Sequence, residues 1–100
     1  MNSITPQELQ SKMNAGEDIQ VIDIREEHEV LEVNMGGIHI PMGEILERKE
    51  ELRTDVPVVI HCRSGKRSAA VISALQAHYG LKNLWNLDGG ILAWVELQQA

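Results

Sequence analysis

The sequence predicts an α/β domain built on a mostly parallel sheet. Short β-branched runs at residues 19–24 and 58–60 alternate with longer stretches of helical pattern. The run 58–60 leads through a short polar loop into an alanine-rich helix at residues 68–79. A further strand, residues 82–87, meets an Asp-Gly-Gly turn before a terminal helix at 91–99. Strands alternating with helices are joined by crossovers, which makes their neighbours parallel. With 100 residues the chain is expected to form one domain, 1–100.

Each element has its own signal. Thr5, Pro6 and Glu8 form a capping-box helix start, and Ile4 and Leu9 can close over it as a hydrophobic staple. Leu9 and Met13 should share a buried face, and Asn14-Ala15-Gly16 ends the helix. The strand at 19–24 finishes on Asp23-Ile24-Arg25, whose charges read as a strand-end ion pair. Glu26 to Glu29 open a polar helical turn. Residues 44–53 are expected to form a charged helix with Ile45 and Leu46 inward. In the helix at 68–79, Ala69, Ala70, Ala74 and Ala77 permit close approach to the sheet, while Val71, Ile72 and Leu75 supply bulk. Gly80 suits the left-handed position after its end.

Composition narrows the function. Hydrophobic content of 43% and charged content of 24% are those of an ordinary globular domain. A net charge of −6 argues against nucleic acid or an anionic membrane surface as partner. No stretch approaches the ~20 apolar residues of a membrane span, and the N-terminus lacks the pattern of a signal peptide. One cysteine excludes an internal disulfide framework and fits a reducing compartment, so a cytoplasmic location is expected. His28, His39, His61 and His78 are scattered without metal-ligand spacing, so neither metal nor cofactor is expected.

The chemistry concentrates in Val56 to Ser68, V-P-V-V-I-H-C-R-S-G-K-R-S. Cys62 ends a strand and the loop behind it opens a helix. Backbone N–H groups at a helix start lack intrahelical partners and attract anions. A loop curling back over Cys62 would aim several of them at the sulfur, as a nest does. Gly65 permits the turn, and Arg63, Lys66 and Arg67 add positive charge. A thiol so placed should ionise below its free value and act as a nucleophile. Ser64 and Ser68 are candidate donors, although Ser68 alone would read as a helix cap. Strand alternation turns His61 to the opposite face, as a packed residue rather than a base.

C-R-S-G-K-R-S at 62–68 resembles the active-site loop of single-domain rhodaneses, sulfurtransferases that carry sulfur as a cysteine persulfide. N-L-D-G-G-I-L-A-W at 86–94 resembles a second signature of that family. The resemblance runs from Ile4 to Trp94, though Val33-Asn34-Met35 departs from the family pattern. It implies a three-layer domain, with a mostly parallel sheet of about five strands between helices. It also implies Cys62 as catalytic residue, with Arg63, Ser64, Gly65, Lys66, Arg67 and Ser68 binding substrate. Asp23, Arg25 and Glu29 (or Glu26) would brace the loop. The partners implied are a small anionic donor such as thiosulfate, and an acceptor that is cyanide, a thiol or a protein cysteine. Four residues separate Cys62 from Arg67, against five in cysteine phosphatases, so the loop suits a sulfur atom better than phosphate. The alternatives are a non-enzymatic persulfide carrier or docking domain and, with less support, a phosphatase or arsenate reductase.

Overall fold

Val58, Val59 and Ile60 occupy the middle of the sheet because β-branched side chains suit a pleated surface buried on both faces. The computed structural model, which describes residues 1–100, places them in β4 (Val58–His61), between β2 (Gln20–Asp23) and β5 (Leu84–Leu87). Two edge strands complete the sheet, β1 (Asn2–Ile4) beside β5 and β3 (Ile38–His39) beside β2. The order is β1-β5-β4-β2-β3 and every pairing is parallel.

The helices are α1 (Pro6–Asn14), α2 (Glu27–Glu32), α3 (Lys66–Tyr79) and α4 (Gly90–Gln98). On one face, Val71, Ile72 and Leu75 of α3 pack on Ile22, Val58, Ile60 and Leu84. On the other, Leu9 of α1 joins Ile4, Val59 and Leu87, with Trp94 of α4 against them. This is the three-layer α/β arrangement expected from the sequence, with five strands, all parallel.

The capping box of α1 forms as expected: Glu8 N donates to Thr5 Oγ1 at 3.1 Å, and Thr5 N donates to Glu8 Oε1 at 2.9 Å. Met13 is 41% exposed, however, so the helix is anchored by Pro6 and Leu9 alone. The expected helix over residues 44–53 is absent. That stretch is a series of turns ending in a short 3₁₀ turn, Lys49–Glu51. Ile45 is buried, but Leu46 is 42% exposed. Ile45 and Leu52 are its only buried apolar anchors, too few to hold a marginal helix in register. Arg48 instead ties the turns together through Glu44 and Glu51.

The start of α4 is pressed against the chain leaving β4. Ile91 N donates to Cys62 O at 2.9 Å, and Leu92 N donates to Arg63 O at 3.2 Å. Gly90 makes this approach possible. Its φ is +61°, and a Cβ there would lie 2.7 Å from Cys62 O and closer still to Arg63 O. We predict that Gly90→Ala costs roughly 2–4 kcal/mol, from backbone strain and overlap together. Urea unfolding followed by circular dichroism measures it, and a change within about 0.5 kcal/mol would refute the close approach.

Candidate active site

β4 ends at His61, so Cys62 is the first residue beyond it, at the carboxyl edge of the sheet where ligands of open parallel α/β domains bind. The backbone then reverses at Gly65, whose φ of 100° lies in the left-handed region, and enters α3. Sγ of Cys62 is 3.1 Å from Gly65 N, 3.4 Å from Ser68 N and 3.4 Å from Ser68 Oγ. Planar trans peptides explain the arrangement. With the Arg63 carbonyl turned to Leu92 N, the Ser64 N–H of the same peptide points the other way. Ser68 sits in the first turn of α3 and is not its cap; Gly65 holds that position.

Cys62 is 1% exposed. Burial opposes its ionisation and is the largest single influence on it. The Ser68 hydroxyl and the Ser68, Gly65 and Ser64 amides together outweigh burial and hold the thiol below its ordinary value. The loop's hydrogen-bond donors are the main cause of this lowering, and the Arg67 guanidinium interacts favourably with the sulfur's charge besides.

The three loop cations differ. Arg67 is bound by Glu29, with Nη1 to Oε1 and Nη2 to Oε2 both 2.9 Å. Arg63 and Lys66 are exposed, and neither side chain is in an ion pair. Ser64 is exposed beside them. It is Glu29, not Glu26, that reaches Arg67; Glu26 N donates to Glu29 Oε1 at 3.1 Å.

Asp23 and Arg25 form the ion pair read from the sequence, buried at the end of β2 with Nη2 to Oδ2 at 2.8 Å. Burial is again the largest influence on the Asp23 carboxyl and raises its pKa. The Arg25 side-chain and backbone donors overcome it and hold the group below the usual carboxylate range. Arg25 also donates to Glu29 O and Val33 O, so it fixes the carboxyl end of α2. His61 is fully buried, with Nε2 3.8 Å from Asp23 Oδ2 and no hydrogen-bond partner on either ring nitrogen.

Asn86 completes the site. Its Oδ1 accepts from Ser68 Oγ at 2.5 Å, and its Nδ2 donates to Gly65 O at 3.1 Å. Its signal in the sequence is a lone polar residue within the apolar strand Leu84–Leu87.

The fold and this site define an open parallel α/β domain whose single cysteine lies in an amide-lined loop at a helix start. Residues 5–97 match the rhodanese-like domain, and the chain belongs to that family. A Bacillus subtilis (strain 168) protein provisionally named a sulfurtransferase is 39% identical over 95 residues, covering 94% of this chain and 90% of the relative. A protein of Allochromatium vinosum named sulfurtransferase is 36% identical over 96 residues, with coverage of 94% and 88%. Among solved structures, a rhodanese-related protein from Thermoplasma volcanium superposes with a TM-score of 0.84 at 32% identity, covering 97% of this chain and 93% of that one.

The Glu29–Arg67 pair makes a pH prediction. Arg67 hydrogen bonds, the largest influence, hold the Glu29 carboxyl at about 2 in place of about 4.5. A depressed carboxyl stabilises the fold fully above its unfolded value and loses that contribution as pH falls through its folded value. Stability should therefore decline between about pH 4.5 and about pH 2. Urea unfolding across that window should show a shallower decline for Glu29→Gln, and identical slopes would exclude the pair as a contributor.

Proposed function

We propose that this protein is a sulfurtransferase that carries sulfane sulfur on Cys62, taking it from a small anionic donor such as thiosulfate. Membership of the rhodanese-like family and relatives named as sulfurtransferases support sulfur transfer in general. The observation that carries the reading for this chain is the cradle around Cys62: amide donors converge on a sulfur that burial alone would leave as an inert thiol.

The thiolate attacks the sulfane sulfur of thiosulfate. The donor's S–S bond breaks, sulfite leaves with the bonding electrons, and Cys62 becomes a persulfide. A nucleophilic acceptor then takes the outer sulfur and restores the thiolate, a covalent two-step cycle. The amides of Ser64, Gly65 and Ser68 stabilise negative charge on the sulfur throughout, as an oxyanion hole does. Arg63 and Lys66, free of ion pairs, attract the donor's anionic end. Arg67 acts through Glu29 as a brace, together with Asp23 and Arg25. The depth of Cys62 favours a slender donor that presents one sulfur atom.

Intact mass after incubation with thiosulfate tests the reading. The wild type should gain one sulfur atom, which cyanide removes as thiocyanate, and Cys62→Ser should gain nothing. No gain from thiosulfate, with gain from a persulfide-loaded protein, would replace the enzyme by a carrier; no gain from either would sink sulfur transfer.

Steering by the exposed cation predicts that Lys66→Ala raises KM for thiosulfate roughly two- to fivefold, leaving kcat near that of the wild type. Steady-state kinetics at low salt reads it, and an unchanged KM would remove Lys66 from donor binding.

A further inference from the structure

Ser68 Oγ has one proton and three acceptors within reach: Asn86 Oδ1 at 2.5 Å, Gly65 O at 3.2 Å and Cys62 Sγ at 3.4 Å. Asn86 decides among them. Its amide orientation follows from Gly65 O, which can only accept, so the group facing it must be Nδ2. Oδ1 therefore faces Ser68, and the hydroxyl proton points at Asn86. Ser68 then offers a lone pair to the sulfur, which suits a thiol S–H and not a thiolate. The sulfur's ionised form needs the opposite polarity, with the hydroxyl turned toward it.

We propose that Asn86 is a positioning residue that competes with Cys62 for the Ser68 proton, so that the Ser68 hydroxyl rotates with the ionisation of the sulfur. When the thiol loses its proton to solvent, the Ser68 hydroxyl turns from Asn86 Oδ1 to Sγ, and no covalent bond to sulfur other than S–H changes. Asn86 keeps its grip on Gly65 O through Nδ2, so the loop stays in place while the hydroxyl moves. The exchange is favourable because a hydrogen bond to an anion is about twice as strong as a neutral one. Ser68 is fully buried, so water does not complicate the choice.

Other charges around Cys62 are fixed by partners of their own or lie out in the open. From α3, Arg67 is paired to Glu29 of α2, whose Glu26 lies before its first turn; from β2, Asp23 is paired to Arg25. His61 lies on the opposite face of β4, Arg63 and Lys66 are exposed on the loop, and Asp88 is exposed just beyond β5. Ile24 and Ile40, each just past the end of β2 or β3, and Ile45 of the turns share the core with Cys62 and carry no charge.

The test is the pH dependence of Cys62 alkylation by iodoacetamide, a reading of the thiol itself that does not depend on sulfur transfer. Removing the competitor with Asn86→Leu should increase the acid dissociation constant of the thiol roughly threefold to tenfold, the worth of one hydrogen bond. The shift should vanish in the Ser68→Ala background, because the effect passes through the hydroxyl. Asn86→Ala is the second variant should leucine disturb folding, with the same expected direction. An unchanged or weaker acid in the Asn86 variants, or an equal shift with and without the Ser68 hydroxyl, would overturn the proposal.

Discussion

The structure depends on the hydrogen bonds between the first amides of α4 and the carbonyls of Cys62 and Arg63. A helix start carries N–H groups that its own helix cannot satisfy. Here they are satisfied by the chain leaving the central strand, which fixes the direction of the loop's peptides. Because each peptide is planar, a carbonyl drawn outward turns the following N–H inward. The left-handed turn at Gly65 then brings its own amide to 3.1 Å from the sulfur. The polarity of the cradle is thus imposed by a helix that contributes no side chain to it.

Magnitudes explain why several donors are needed. Taking an ion out of water costs several kcal/mol even after the protein relaxes. A hydrogen bond to a charged group returns about 1.5–3 kcal/mol. One amide leaves a buried thiol protonated; the donors of Ser64, Gly65 and Ser68 acting together reverse the balance. The −6 net charge of the chain does not help, so the stabilisation has to be local.

The parts of this design that are local in the chain were legible in the sequence. The passage from Val58 to Tyr79 announces strand, loop and helix by composition alone, and the Asp23–Arg25 pair follows from spacing. Contacts between distant segments leave no such imprint. By composition Arg67 looks like Arg63 and Lys66; only the family resemblance points to Glu29 as a brace, which α2 brings to Arg67 from 38 positions away. Asn86 reads as an ordinary strand residue until β5 is set beside β4. β1 carries no signal in the sequence, because three residues with one buried side chain show no periodicity. Residues 44–53 misled because their charge pattern is helical while their buried anchors are too few.

The position of α4 in the chain has a consequence for biosynthesis. The ribosome makes Cys62 well before residues 90–92, and segments emerge in order. A nascent chain that has released β4 and α3 but not α4 has a cysteine whose neighbouring carbonyls are still unclaimed. The docking of α4 is thus the step that fixes the direction of the Cys62 and Arg63 carbonyls, and the loop behind the central strand is completed only with the last helix.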